Sequence, residues 1–125
     1  MELKEGMYVR TKYNGICKLY REFYEDSVDV GISVFPEIEG FFIDEEEINY
    51  IEKRDIIKAS YNIIDLIEVG DYVNGFRMEQ ITEFKDGSRY LEFDDGKYYC
   101  KNYQIQSIVT KEQFESMSYK VGGNE

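Results

Sequence analysis

The sequence predicts a mainly β fold of two consecutive units, with one short helix near the carboxyl end. The phrase G-x-Y-V occurs at Gly6 and again at Gly70. Glycine allows the positive φ of a tight turn, and tyrosine and valine suit a half-buried strand, so each copy is typical of the first strand of a small β unit. Asn-Gly and Asp-Gly pairs beside apolar runs add hairpin signals in both halves.

A hairpin opens the first unit, which spans residues 1–62. Asn14-Gly15 is a strong signal for a tight turn between two strands. Apolar residues flank this turn, with Val9 before it and Ile16 after it. The pattern therefore predicts two antiparallel strands.

The next stretch of the first unit, SVDVGISVF, has the alternation of a strand. Its apolar side chains recur at every second position, which predicts one half-buried strand with these residues on one face: Val28, Val30, Ile32 and Val34. Pro36 ends that strand or places it at a sheet edge. A short apolar run at residues 41–43 predicts a further strand.

The second unit, residues 63–121, repeats this order. The run RYLEF leads into a turn at Asp94-Asp95-Gly96 and the run KYYC leads out of it, which predicts a hairpin. An I-x-x-I segment then closes each unit, at Ile48 and Ile51 in the first and at Ile105 and Ile108 in the second.

Local chemistry also predicts where the helix begins. Thr110 and Gln113 have the spacing of a capping box, in which each side chain bonds the other residue's backbone N–H. Val109 and Phe114 have the spacing of a hydrophobic staple. We therefore expect a short helix near residues 111–117.

Short strands, tyrosine-rich faces and the G-x-Y-V opening resemble small SH3-like barrels. The predicted fold class is mainly β (α+β), with two tandem small SH3-like β-barrel units, a short helix near the carboxyl terminus and a flexible tail at residues 122–125. The alternative is a single mixed α+β sheet in which the repeated phrase arises by chance.

Two segments resemble phrases from small uncharacterised proteins of Gram-positive bacteria and of the phages and mobile elements that they carry. They are KASYNIIDLIEVGDYVNG (Lys58–Gly75) and SIVTKEQFESMSYKV (Ser107–Val121), about a quarter of the chain. The resemblance brings no activity, so no catalytic residue can be assigned from it. It implies a setting of accessory proteins, many of which bind and disable a host factor.

The residue content argues against several kinds of chemistry. The chain has no histidine, which excludes Ser-His and Cys-His pairs and imidazole metal ligands. Cys17 and Cys100 form no C-x-x-C pair, and the acidic run from Asp44 lacks the glycine and glutamate that an EF-hand loop needs. Carboxylates are too numerous to single out a catalytic pair. We expect no enzyme activity, no metal site and no cofactor.

Composition also bears on location and ligand class. No apolar run approaches the roughly 18 residues of a membrane span, and the opening MELKEG lacks the parts of a secretory signal. We therefore expect a cytoplasmic protein in the cytosol of a host cell, with no membrane partner. The formal net charge of −11 argues against direct binding of nucleic acid and favours a basic partner.

The negative charge is concentrated in residues 22–52, here called the acidic segment. It contains eleven acidic residues and no basic residue, while the rest of the chain is balanced. Segregated charge speeds encounter with a cationic surface, and interleaved aromatic side chains can anchor a partner. Phe41 and Phe42 are consecutive, so one of the two is expected to point outward. The predicted partner-binding residues are Glu37, Glu39, Phe41, Asp44, Glu45, Glu46, Glu47 and Tyr50.

These observations favour a non-enzymatic phage or mobile-element binding protein that inhibits a basic host factor, such as a nucleic-acid-binding effector, through its acidic face. An anti-CRISPR or a similar anti-defence inhibitor is the most concrete form of this hypothesis. A merely solubilising acidic face is the simplest alternative.

Two other functions remain open. One is a small adaptor or regulatory domain that binds a peptide. The other is a tyrosine platform that stacks single-stranded nucleic acid beside basic residues. That platform would draw on Tyr8, Tyr13, Tyr20, Tyr24, Tyr90, Tyr98, Tyr99 and Tyr103, with Arg10, Lys12, Arg89, Lys97 and Lys101.

Overall fold

The computed structural model describes residues 2–93 and 95–117 of the chain. Over these residues the protein is mainly β, with small sheets and one short α-helix near the carboxyl end, as the sequence predicts. The chain divides into two compact units, Met1–Tyr61 and Asn62–Glu125. The predicted tail at residues 122–125 and Asp94 of the predicted turn lie outside the described residues.

The first unit is built from short antiparallel strands and one 3₁₀ turn at Lys53–Asp55. Its strands are β1 (Tyr8–Thr11), β2 (Ile16–Lys18), β3 (Arg21–Glu25), β4 (Val28–Asp29), β5 (Val34–Phe35), β6 (Ile38–Phe42), β7 (Tyr50–Glu52) and β8 (Ile56–Ser60). β1 lies between β2 and β8 in one three-stranded sheet, and β6 lies between β3 and β7 in another. β4 and β5 form a separate two-stranded sheet.

The predicted hairpin at the start of the first unit is confirmed. β1 and β2 pair antiparallel, with Val9 opposite Cys17. The Thr11 hydroxyl donates to the Gly15 carbonyl oxygen (2.8 Å) and accepts from the Asn14 backbone N–H (2.9 Å). These bonds close the turn because they satisfy backbone groups that the strands leave unpaired.

The stretch SVDVGISVF is a hairpin and not the single half-buried strand that its alternation predicts. β4 and β5 pair antiparallel, with Val28 opposite Phe35. Gly31 has φ +83° at the first central position of the turn. The Val30 N–H donates to the Ser33 carbonyl oxygen (2.9 Å) across the two residues that reverse the chain. The glycine reverses the chain in the middle of a run whose alternation alone predicts a continuous strand.

Both three-stranded sheets of the first unit contribute to its core. The buried residues are Val9, Leu19, Phe41, Ile51 and Ile56. Gly40 on β6 allows a close approach to β7, since a Cβ at this position would lie 2.3 Å from the Ile51 carbonyl oxygen. Burial of each such apolar side chain contributes about 1.5–3 kcal/mol, so this cluster is the main source of stability in the unit.

The second unit contains two three-stranded sheets, 3₁₀ turns at Ile63–Leu66 and Asn102–Gln104, and the helix. Its elements are β9 (Tyr72–Val73), β10 (Phe76–Arg77), β11 (Gln80–Glu83), β12 (Arg89–Glu92), β13 (Tyr98–Tyr99), β14 (Ile108–Val109) and α1 (Lys111–Met117). β9 lies between β10 and β14, and β12 lies between β11 and β13. Its core contains Ile64, Ile67, Val73, Met78, Leu91 and Phe93.

The predicted hairpin and helix cap of the second unit are confirmed. β12 and β13 pair antiparallel, and Gly96 occupies the turn between them with φ +85°. At the start of α1 the Gln113 N–H donates to the Thr110 hydroxyl (3.2 Å), and the Thr110 N–H donates to the Gln113 side-chain oxygen (3.1 Å). The capping box therefore fixes where the helix begins.

The two units have the same strand order when each is considered by itself. In each unit the first strand lies between the second and the last strand of that unit. The other three-stranded sheet of each unit is formed by strands that follow one another along the chain, except that β4 and β5 come between β3 and β6 in the first unit. Gly6 and Gly70, which open the two units, both have positive φ. Among the described residues no strand set closes into a barrel, so the SH3-like assignment stays a prediction.

Candidate partner-binding site

The sheet β3-β6-β7 positions most of the predicted binding residues. Phe41 lies opposite Ile51 on β7 and is only 1% exposed, so it belongs to the core and does not reach a partner. The prediction for Phe41 is corrected because strand alternation places its side chain on the face that packs against the core. Its neighbour Phe42 points to the other face.

The outer face of this sheet carries an aromatic cluster of Phe23, Phe42 and Tyr50. The ring centroids of Phe23 and Phe42 are 4.7 Å apart, and the Tyr50 ring meets Phe23 edge-on at 5.3 Å. Tyr50 is 47% exposed, and the Arg21 guanidinium lies 5.1 Å from the Phe42 ring centroid. Tyr50 is therefore accessible, as predicted, within a cluster that supports its ring.

Asp44 holds the loop between β6 and β7. Its carboxylate accepts the backbone N–H groups of Ile48 (2.9 Å) and Asn49 (2.8 Å) and the Asn49 side-chain amide (2.8 Å). The Ile48 N–H above all, with those of Asn49 and Glu47, lowers the Asp44 pKa below its ordinary value, against a smaller opposing effect of burial. Asp44 is thus occupied in shaping the loop.

Glu47 has a structural partner as well. It adopts φ +58°, and its carboxylate accepts two bonds from Arg21, including one of 2.9 Å from Nη2. The hydrogen bond from Arg21 lowers the Glu47 pKa. This bidentate pair ties the loop to β3, although the Glu47 side chain is still exposed, as are Glu45 and Glu46.

Basic residues that flank the acidic segment neutralise part of its charge. Lys53 binds Glu22, and Arg54 lies 3.1 Å from Glu52. Together with the pair between Arg21 and Glu47, these contacts occupy three of the segment's carboxylates. Exposed pairs of this kind add little stability, but they reduce the negative potential around those three positions.

Seven other exposed carboxylates of the acidic segment lie outside these ion pairs and form two groups at opposite ends of β6. We call them the exposed acidic set: Glu25, Asp26, Asp29, Glu37 and Glu39 at the start of the strand, and Glu45 and Glu46 after its end. The Tyr24 hydroxyl donates to Glu37 (2.7 Å), a bond that raises the Tyr24 pKa. The predicted binding residues therefore lie in two places that are separated by the length of β6.

A small depression beside the first group has a mixed lining. Glu37, Glu39 and Glu52 line it together with Lys53 and Arg54, and its volume is about 140 Å³. Three carboxylates around a space of this size suit one cationic side chain, provided that it competes with the two basic residues already there.

The hairpin β4–β5 exposes apolar side chains of the stretch whose alternation predicts a half-buried strand. Ile32 at the turn is 104% exposed, Val34 67% and Phe35 58%. Val28 and Val30 are exposed as well. The signal that could have found this feature is Gly31 at the centre of the run, since a glycine inside a strand pattern often marks a turn or bulge.

The second unit carries a row of aromatic side chains on the sheet β11-β12-β13, here called the aromatic row: Phe84, Tyr90 and Tyr98. The Tyr90 and Tyr98 rings are nearly parallel (4°) with centroids 5.5 Å apart, and Phe84 meets Tyr90 edge-on at 5.0 Å. This row brings together two of the tyrosines proposed for a stacking platform.

Several other residues of the predicted platform do not lie on such a surface. Arg10 is fully buried in the first unit. The Arg89 side chain is largely buried and donates to the Ile64 carbonyl oxygen (2.7 Å). Tyr99 packs against Phe93 in the core of the second unit. Arg10 and Arg89 are therefore not accessible basic residues beside such a platform.

Neither the described residues nor the comparisons with known proteins assign a function to the chain. Residues 2–93 and 95–117 contain no group of acidic or cysteine side chains placed to hold a metal ion. No helix in that part of the chain has the length and hydrophobicity of a membrane span. Comparisons with protein-family models, curated proteins and solved structures found no match.

Proposed function

We propose that this is a non-enzymatic binding protein whose first unit docks onto a basic partner protein. The observation that carries the proposal is the exposed acidic set. Seven exposed carboxylates of the first unit lie outside the ion pairs that the flanking Arg21, Lys53 and Arg54 form with other acidic residues of the segment. Such a charge distribution raises the association rate with a cationic surface and disfavours acidic competitors.

The depression lined by Glu37, Glu39 and Glu52 gives this docking a specific contact. A lysine or arginine side chain of the partner would enter it and pair with these carboxylates. Arginine fits best, because its planar guanidinium can bond two carboxylates at once. Tyr50, supported by Phe23 and Phe42, supplies an accessible aromatic surface on the same sheet.

The more specific proposal is inhibition of a host factor that binds nucleic acid. A basic nucleic-acid channel is the kind of surface that a concentrated array of carboxylates would occupy. The phage setting and the anti-CRISPR role rest on the resemblance of the two segments named above. We also propose that each unit has an SH3-like barrel architecture. The strand order that the two units share supports this proposal.

The test compares two variants with the same change in net charge. The acidic-set variant carries Glu37→Gln, Glu39→Gln, Glu45→Gln and Glu46→Gln. It leaves Asp44 and Glu47 intact, because these residues hold the loop. The control variant removes four acidic residues outside the segment: Glu2→Gln, Glu79→Gln, Glu83→Gln and Asp95→Asn.

Each protein is immobilised and used to capture partners from a bacterial lysate at about 0.1 M and about 1 M salt, over which the Debye length falls from about 10 Å to about 3 Å. We expect wild type and control to retain the same basic proteins at low salt, and the acidic-set variant to lose them. Equal retention by both variants, or retention that survives high salt, would refute docking through the exposed acidic set.

The aromatic row supports a second candidate function, binding of single-stranded nucleic acid by base stacking. Its parallel Tyr90 and Tyr98 rings are the observation in favour, and the net negative charge of the chain is the observation against. Retention of a labelled oligonucleotide at moderate salt, lost on Tyr98→Ala, would establish this function. A peptide adaptor, the remaining alternative, would capture partners whose retention changes little with salt.

A further inference from the structure

The hairpin β4–β5 is an addition to the strand order that the two units share. In the second unit, β11 is joined to β12 by the short connection at residues 84–88. In the first unit, the corresponding strands β3 and β6 are joined by residues 26–37, which contain the hairpin. Because the second unit completes the same sheet without such an insertion, the hairpin is not needed to form the sheet.

The hairpin presents its apolar residues in a defined way. The Asp29 carboxylate accepts the Gly31 N–H (3.0 Å), and the bond from the Val30 N–H to the Ser33 carbonyl oxygen joins the two sides of the tip. Ile32 follows the glycine at the tip and is the most exposed apolar residue of the chain's described part. Its side chain is therefore held outward by a turn whose geometry is fixed locally.

Exposure of this kind requires an explanation beyond folding. An isolated two-stranded hairpin is marginally stable in water, and among the described strands β4 pairs only with β5. Five apolar side chains remain exposed along it: Val28, Val30, Ile32, Val34 and Phe35. The strand register places Val28 and Phe35 on one face of the hairpin and Val34 on the other, with Ile32 at the tip. Exposed apolar residues rimmed by polar ones are typical of an interaction site.

We propose that the tip of this hairpin, led by Ile32, inserts into an apolar depression of a protein partner whose rim carries lysine and arginine. This inference rests on the proposed function and names the element that supplies its apolar anchor. The anchor would set how long the complex lasts, while the surrounding carboxylates would set how fast it forms.

Charge decides among the possible occupants. Glu25, Asp26 and Asp29 lie on or beside the hairpin, and no basic residue occurs between Arg21 and Lys53. In a dimer of this chain, two acidic hairpins would face each other and their negative charges would repel. An anionic lipid surface would repel the hairpin for the same reason. A depression with a basic rim satisfies both the apolar tip and its acidic flanks.

Two synthetic helical peptides of equal charge serve as defined probes. One has leucine along one face and lysine along the other, which reproduces an apolar stripe with a cationic rim. The other has serine in place of leucine. Binding of fluorescently labelled peptide is measured with wild type, Ile32→Ser and the matched control Ile57→Ser, an exposed isoleucine outside the acidic segment.

We expect wild type and Ile57→Ser to bind the lysine–leucine peptide at least about tenfold more tightly than the lysine–serine peptide, a preference that Ile32→Ser removes. Equal binding of both peptides by wild type, abolished at high salt, would overturn the hairpin proposal and leave the proposed function standing. Failure to bind either peptide would overturn both. An Ile32→Ser variant that keeps the preference would overturn the assignment to the hairpin.

A second variant and two further probes complete the test. Replacing residues 26–37 by the FKDGS connection of the second unit should leave a folded protein that lacks the leucine preference. Sedimentation should show a monomeric wild type, and vesicles containing phosphatidylglycerol should not retain it. A dimer broken by Ile32→Ser would assign the hairpin to self-association. Vesicle binding lost on the same substitution would assign it to a membrane, and either result would overturn the proposal.

Discussion

At the scale of single residues, some carboxylates of the acidic segment hold the structure together, and others lie outside those contacts. Asp44 and Glu47 form backbone and ion-pair contacts that fix the β6–β7 loop, while the exposed Glu45 and Glu46 between them take no part in those contacts. Adjacent acidic residues of this short run therefore differ in role, since only Asp44 and Glu47 hold the loop. A charge reversal over the whole run would disturb the loop as well as the surface.

The pH dependence of Asp44 tests its structural role. Hydrogen bonds from the Ile48 N–H and its neighbours lower its pKa below the ordinary 3.8. Its contribution to the folded loop is therefore fully present above pH 3.8 and is lost as the pH falls through the lower folded-state pKa. An NMR titration of the side-chain carboxyl should show a midpoint below 3.8. A midpoint at or above that value would contradict the loop geometry.

The variant Asp44→Asn supplies the control for this titration. In Asp44→Asn the acid-induced shifts of the Ile48 and Asn49 backbone amides should disappear, because no titrating group remains to accept their N–H bonds. The amides of Leu91 in the second unit should be unaffected in both proteins.

Residue-level prediction from the sequence succeeded where local chemistry was sufficient. The exposure of Glu37, Glu39, Glu45 and Glu46 follows from the cost of burying charge. The burial of Phe41 could not be predicted, since alternation shows that Phe41 and Phe42 point apart but not which face meets the core. The partnering of Glu47 with Arg21 joins distant positions, which a linear pattern does not reveal.

At the scale of elements, sequence signals were reliable when a turn or cap is closed by nearby residues. The β1–β2 hairpin and the cap of α1 are both fixed by contacts within a few positions along the chain. The hairpin β4–β5 was missed because period-two alternation continues through its turn. Strand order was also not predictable, since the pairing of β1 with β8 depends on tertiary contacts.

The cap of α1 gives a direct test of an element. Thr110→Ala removes the hydroxyl that accepts the Gln113 N–H at the start of a helix of only 7 residues. We expect a loss of about 1 kcal/mol in the free energy of unfolding. We also expect faster hydrogen exchange at the Phe114 amide, which bonds the Thr110 carbonyl oxygen. Ser116→Ala, at an exposed position of the same helix, is the control and should change neither quantity appreciably.

At the scale of the whole molecule, the two units share a strand order, and each also has surface features that the other lacks. Each unit forms its own core, and the first differs from the second by an acidic connection that carries the exposed hairpin. The second unit differs by its aromatic row. We therefore propose that the first unit recognises the partner, and we expect that the second unit is not contacted.

The most direct measurement of this claim is an NMR map of the surface that contacts the basic probe. ¹⁵N-labelled protein is titrated with the lysine–leucine peptide, and the perturbed backbone amides are assigned. The account predicts perturbations at residues 25–39 and in the loop at residues 44–49, with the second unit unchanged. Perturbations centred on the aromatic row of Phe84, Tyr90 and Tyr98 would contradict it.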